Sequence, residues 1–202
     1  MNEFSSLKVI FPGKKIFLRL GGHLTRSRMP QEEVRRFNSL ALKAFEFCHP
    51  RGRWDIVRVK KITGEGILLS DDCWIGSRDF AARCAGSTHL WYGAVTVGAE
   101  VVALRDTAEK VSESTVYDAV GAETADAAMD LLHRLAGKQL QRQAMVLADR
   151  RYSPGYGDMS LEIQHFFFER LKLAELGLSL SEAYYMIPEK SVTAFAAVRE
   201  EL

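Results

Sequence analysis

The chain has 202 residues, 47% of them hydrophobic and 26% charged, a globular composition with length enough to bury a core, and this argues against disorder. Its 27 Lys and Arg nearly balance 26 Asp and Glu, so a formal charge of +1 provides no field to gather a polyanion, and nucleic acid is not an expected partner. The cysteines Cys48, Cys73 and Cys84 are odd in number and lack CxxC spacing, which argues against a disulfide framework or a zinc site and for burial as small apolar residues in a reduced compartment. No apolar run approaches the roughly 18 residues of a membrane span, and the N-terminus lacks a small-residue cleavage site, so a soluble cytoplasmic protein is expected.

Residues 7 to 20 hold two short β-prone runs, LKVIF and KIFLRL, around Pro12-Gly13, and predict two strands joined by a turn. A helix is expected next. Pro30 suits its start, Glu32 and Glu33 favour its positive end, and Val34, Phe37, Ala41, Ala44, Phe45 and Cys48 recur at helical spacing until His49-Pro50-Arg51-Gly52 stops it. WDIVRV (54 to 59) and GILL (66 to 69) predict a hairpin across Thr63-Gly64-Glu65-Gly66. Ser77 predicts the cap of a short helix, RDFAARC, closed by Gly86, and HLWYGAVTV (89 to 97) predicts a strand leading into a helix near Gly98.

From Ser114 to about Leu147 a proline-free, alanine-rich stretch places Val116, Ala119, Val120, Met129, Leu132 and Ala136 on one stripe. This predicts the longest helix, weakened at Gly121 and Gly137 by about 1 kcal/mol each relative to alanine, with a possible break near Gly137. Ala148 to Met159 reads as a connection. Ser160 then predicts the cap of a helix running to Leu176 and Gly177, and residues 183 to 187 with 191 to 198 predict a closing hairpin around Pro188-Glu189-Lys190. No repeat or linker divides the chain, so one α+β domain over 1–202 is expected.

The familiar cofactor signatures are missing: there is no GxxxxGK[ST], no HExxH, and no GxGxxG between strand and helix, which disfavours nucleotide hydrolysis, zincin chemistry and a standard dinucleotide site. The histidines are scattered. His133 and His165 have no partner at metal-ligand spacing and are expected to play ordinary surface or core roles. The segment Arg150-Arg151-Tyr152-Ser153-Pro154-Gly155-Tyr156-Gly157-Asp158 is the most informative. It has two readings: a structural turn, with Pro154 fixing φ, Gly155 accepting positive φ and the arginines solvated, or a ligand loop that presents backbone N–H and C=O groups while Arg151 offers its fork to a carboxylate.

Arg151 to Tyr156 resembles the R-x-x-P-G-Y signature of the activation (reactivation) domain of vitamin-B12-dependent methionine synthase, a loop that binds S-adenosylmethionine (AdoMet) in that family. Leu180 to Val192, LSEAYYMIPEKSV, is similar to that domain's downstream M-x-P-x-x-S-V segment, and Ala125 to Arg134, ADAAMDLLHR, resembles its A-E-A-x-A-E-x-L-H-E/R helix. The resemblance implies an α+β fold built on a twisted antiparallel sheet with packed helices. It also implies an AdoMet site with Arg151 on the carboxylate, Asp126 on the amino end or ribose, the backbone of Ser153 and Gly155 on the adenine or adjacent groups, and Tyr156 packed on the ligand.

No side-chain acid, base or nucleophile and no metal ligand is implied. The resemblance further implies that cobalamin is carried by a partner, a methionine synthase subunit or another corrinoid protein, and that a flavodoxin- or ferredoxin-like protein donates the electron. The chain departs from the pattern in lacking the family's insertion before the Pro-Gly loop, in having Ala196 where the family has a tyrosine that contacts AdoMet, and in offering only Asp55 for an N-terminal acidic contact. The expectation is a reactivation factor acting in trans. The alternatives are a corrinoid-docking scaffold with lost or altered AdoMet binding, and an unrelated enzyme that takes another small carboxylate.

Overall fold

The computed structural model describes residues 1–22 and 30–201. Strand β1 (Asn2–Phe4) is followed by residues 6–12 without regular structure and by helix α1 (Gly13–Arg19). The two strands expected over residues 7 to 20 are therefore absent. The reason is tertiary: Lys15 and Arg19, one turn apart on α1, reach carboxylates on a distant helix while Ile16 is fully buried, and local propensity carries no trace of those contacts.

Helix α2 (Gln31–Glu46), strands β2 (Arg51–Ile62) and β3 (Gly66–Leu69) and helix α3 (Arg78–Arg83) follow as the patterning indicates, and a short strand that was not expected, β4 (Trp74–Gly76), pairs with β3 ahead of α3. Ser77 caps α3, its Oγ accepting from the Phe80 N–H at 3.1 Å. Strand β5 (His89–Thr96) turns at Gly98, φ +90°, into helix α4 (Glu100–Asp106). Helix α5 (Val111–Gln141) runs through Gly137, and Lys190 Cγ and Val101 Cγ1 approach Gly121 to within 3.0 and 3.3 Å of where a Cβ would stand. It ends six residues before the expected Leu147, because Ala144 adopts φ +55° and the chain enters strand β6 (Met145–Tyr152) in place of the expected connection.

The helix expected from Ser160 to Leu176 is broken into a 3₁₀ turn at Leu161–Ile163, helix α6 (Gln164–Arg170) and a second 3₁₀ turn at Leu173–Leu176. The break falls at Lys172, φ +48°. There the carbonyls of Leu171 and Lys172 accept from Arg53 Nη1 at 3.0 and 2.8 Å, which turns them away from a helical ladder. The expected closing hairpin does not form either. Strand β8 (Met186–Ile187) pairs with β7 (Ser179–Leu180), and strand β9 (Ser191–Glu200) inserts between β5 and β6, where its small and apolar residues are buried on both faces.

The main sheet has seven strands in the order β4-β3-β2-β5-β9-β6, with β1 also on β2, and every pairing is antiparallel. Strand alternation sends Leu90, Tyr92, Phe195 and Ala197 to one face, against α3 and α6, and Trp91, Val95, Ala196 and Val198 to the other, against α5. A third apolar cluster joins α1, α2, α4 and the first half of α5. This is an α+β fold with six α-helices among the described residues. None of those helices is long and apolar enough to cross a membrane.

Arg53 is the buried polar tie between the two ends of this architecture. Besides the two carbonyls, its guanidinium meets Glu3 of β1 at 2.8 Å and Glu175 at 2.9 Å. Glu3 and Glu175 are half-exposed, so water can solvate them when the arginine is lost, but the carbonyls are left without their partner. Arg53→Ala is expected to cost about 2–3 kcal/mol by urea denaturation, the worth of hydrogen bonds to a charged group plus lost stem packing; a change below about 0.5 kcal/mol, the range of ordinary surface substitutions, would show the tie to be incidental.

Candidate functional site

The site is organised by an irregularity in β6. Leu147 pairs with Val198 and Arg151 with Ala196, so three residues of β6, Ala148 to Arg150, stand opposite the single residue Ala197 of β9. The surplus is two, an even number, so Arg151 keeps the α5 face while lying about 7 Å further back along β9 than a regular ladder would place it. Tyr152, opposite Phe195, points to the other face and stacks on Phe80 with centroids 5.3 Å apart.

On the α5 face, Glu123, Asp126 and Asp130 form a row at helical spacings of three and four. Three cations oppose it. Arg151 Nη2 donates to Asp130 Oδ1 at 2.6 Å, Lys15 Nζ lies 3.2 Å from Asp130 Oδ2, and Arg19 reaches Glu123 at 2.5 Å and Asp126 at 3.7 Å. Burial is the largest single influence on Asp130 and works against its ionisation, but the hydrogen bonds and charges of Arg151 and Lys15 together outweigh it and hold the carboxyl below its ordinary value. Asp126 goes the other way: partial burial, then the neighbouring charge of Glu123, raise it, and Arg19 compensates only in part. With 51% of its side chain exposed and one loose ion pair, Asp126 is the member of the row with most capacity to accept from an incoming cation.

The Pro-Gly turn follows Arg151 directly. Gly155 has φ +81° and Gly157 φ +56°, and a Cβ on Gly157 would stand 2.3 Å from Tyr152 Oη, so that position requires glycine for both conformation and space. The Gly155 N–H donates to the Met159 carbonyl at 2.9 Å, and the Ser153 carbonyl accepts from the Tyr156 N–H at 3.1 Å. The Gly155 amide is thus committed inside the turn, and Ser153 and Gly155 present their carbonyl oxygens' remaining lone pairs. Asp158 pins the far side, accepting from Ser77 Oγ and from the Arg78 N–H at 2.7 Å. Tyr156, 67% exposed, stands edge-on to Tyr152 at 5.6 Å.

A cleft of about 540 Å³ opens beside Arg151 between residues 8–10, α5 and β6, lined by Asp130, Arg134, Asp149 and His133 among others. Asp126 lies outside it, in a smaller groove of about 160 Å³ with Arg19 and Lys190. Asp126 and Arg151 therefore line separate concavities with no shared lining residue, and Asp130, missed as a candidate although it sits in the same helical motif, lines the larger one and pairs with Arg151. Lys15 and Arg19 were also missed, since the segment carrying them was read as strands; their i, i+4 spacing around Ile16 was the available signal. Asp55 is elsewhere, on β2 opposite Tyr92, its carboxylate accepting from the Ile56 N–H at 2.9 Å. Ala196 lies buried beneath Arg151 with Trp91 across the ladder on its other side.

A search of solved structures supplies the decisive comparison: the MetH reactivation domain bound to AdoHcy aligns with 94% of this chain and 73% of its own length, at a TM-score of 0.64 and 18% identity. The chain has the MetH reactivation-domain fold. No family model and no curated protein matches the sequence. The likeness extends to the α+β architecture of antiparallel sheet and packed helices, while the contents of the site rest on this chain's own residues.

His133, on the floor of the larger cleft, is buried edge-on against Trp91 at 5.1 Å. Burial, then the positive charge of Arg151, push its imidazole down to about 4, so it is neutral in the folded protein near pH 7. An unfolded chain takes up that proton near pH 6.5, so below that pH the unfolded state binds more protons and stability falls as pH drops towards 4, levelling off beneath it. Urea denaturation between pH 7.5 and 4 is expected to show a loss of about 2–3 kcal/mol that is reduced in His133→Gln; an unchanged slope in the variant would assign the loss to other groups.

Proposed function

We propose that the chain is an AdoMet-binding reactivation factor that acts in trans on a cobalamin-dependent methionine synthase or a related corrinoid protein, supporting reductive methylation of cob(II)alamin. The observation that carries this reading is the placement of Arg151, on the reactivation-domain fold, between the acidic row of α5 and the glycine-bearing turn. Arg151 uses Nη2 on Asp130, which leaves guanidinium donors for a second carboxylate. Asp126 and Asp130 are one helical turn, about 6 Å, apart. An α-amino acid carries its ammonium and carboxylate on one carbon, so its carboxylate can take Arg151 while its ammonium meets Asp126 or Asp130.

The carbonyls of Ser153 and Gly155 are acceptors suited to the adenine amino group, and the exposed ring of Tyr156 offers its face to a sulfonium. The work of these residues is orientation: they fix both ends of the ligand and direct its methyl group outward, and they supply neither acid nor base. Cobalamin, carried by the partner, provides the cobalt that accepts the methyl group once a flavodoxin- or ferredoxin-like donor has supplied an electron.

A second reading, a docking module with lost or altered AdoMet binding, rests on Ala196. Where the family has a ligand-contacting tyrosine, this chain buries a methyl group under Arg151. Calorimetric titration with AdoMet separates the two readings. Saturable binding is expected, weakened about 10- to 100-fold in Arg151→Ala, the range for losing a charge-assisted hydrogen bond, and by less, about fivefold, in Asp126→Ala, whose carboxylate is half-exposed; no saturable heat at millimolar AdoMet would leave the docking module.

A further inference from the structure

The displaced residues of β6 create a second concavity on the opposite face of the sheet edge. Because Ala148 to Arg150 leave the ladder, a cleft of about 390 Å³ opens between β6 and α3 and reaches core residues of that face. Its floor is apolar, formed by Phe80, Ala148, Tyr152 and Ala197. Cys84 completes it as a neutral thiol, since burial pushes it up to about 12. The rim is cationic. Arg83, Arg150 and Arg151 stand around it against the single carboxylate of Asp149. Arg151 is engaged by Asp130, whereas Arg83 and Arg150 have no carboxylate partner among the described residues. The Arg83 guanidinium lies 5.7 Å from the centroid of the Tyr152 ring, a cation–π contact that seats it on the wall of the cleft.

An apolar floor beneath unpaired arginines is the environment of an amphipathic anion. Covering the apolar floor releases water from it, and a simple inorganic anion makes no use of that floor. The geometry points to a binding site for a small aromatic or other planar apolar carboxylate, its ring against Phe80, Ala148 and Tyr152 and its carboxylate between Arg83 and Arg150. The volume holds one such molecule and is too small for a peptide helix or strand. This cleft shares Arg151 and Asp149 with the one on the α5 face, but its apolar floor lies on the other face of the sheet, and binding here requires neither Asp126 nor the Pro-Gly turn.

Naphthalene-2-carboxylate is the probe, and naphthalene-2-carboxamide, of the same shape without the charge, is its control; both are titrated into the full chain by calorimetry. Saturable binding of the carboxylate is expected, with the amide about 10-fold weaker or worse, since losing a charge-assisted hydrogen bond is worth at least that factor. Arg83→Ala and Arg150→Ala are each expected to bring carboxylate affinity about 10-fold towards that of the amide. Ala148→Leu, which fills the floor from the strand irregularity, is expected to abolish binding of both probes. Equal affinity for acid and amide, indifference to the paired arginine substitutions in a variant with an unchanged melting temperature, or no binding at millimolar probe would each overturn the proposal.

Discussion

A strand can hand consecutive side chains only to opposite faces of its sheet, and the register slip in β6 is the constraint on which the rest of this site depends. Had the ladder with β9 continued from Leu147, Arg151 would lie opposite Ala194; the slip sets it opposite Ala196, against Asp130. The same slip starts the Pro-Gly turn where Asp158 can reach the cap of α3, and it opens the cleft beneath Arg83. Slips of this kind are found on edge strands, where one side of the strand has no partner to hold its register. Among the described residues β6 is such an edge, paired only with β9.

The facing rows of charge on α5, α1 and β6 show which electrostatic effect prevails at each position. Asp130 has two cations within hydrogen-bond distance, and their attraction exceeds the cost of its burial. Four residues earlier, Asp126 is paired among the described residues with Arg19 alone, at 3.7 Å, while Glu123 competes for the same guanidinium, and there burial and repulsion win. Neighbouring carboxylates in similar covalent settings thus differ in direction of shift because of their partners. The less satisfied of the two, Asp126, is the one with binding capacity left.

What the sequence disclosed and what it withheld divide along the range of the interactions. The cap at Ser77, the hairpin of β2 and β3, the helical stripe of α5 and the positive φ of Gly155 are set by residues within a few positions of one another, and each was legible. Helix α1 was not, since its β-prone Ile16-Phe17-Leu18 is held helical by ion pairs more than a hundred residues away. β6 was hidden because Asp149-Arg150-Arg151 breaks any alternation at the point where it leaves the ladder. The false hairpin of residues 183 to 198 arose for a related reason: β9 is a strand, but its partners are chosen by burial on both faces, and two distant strands compete better than an adjacent one. In the site, Arg151, Asp126 and the turn came from motif resemblance, whereas Asp130 emerged only when two elements were placed side by side.

The openness of the site bears on the proposed role. Asp126 and Tyr156 are more than half exposed, and ion pairs at such positions are worth about 1 kcal/mol or less in water. A ligand held by these contacts alone is held weakly and remains reachable from solvent. Covering the site with a second macromolecule lowers the local dielectric and strengthens the contacts of Arg151 and the acidic row together, so affinity for the ligand and docking of the partner reinforce each other. A deep pocket would bind the ligand better in isolation, but it would hide the group to be transferred. Under the proposed role, in which the group is handed to a cofactor carried elsewhere, a shallow edge-strand site completed by a partner would resolve the conflict between binding and access.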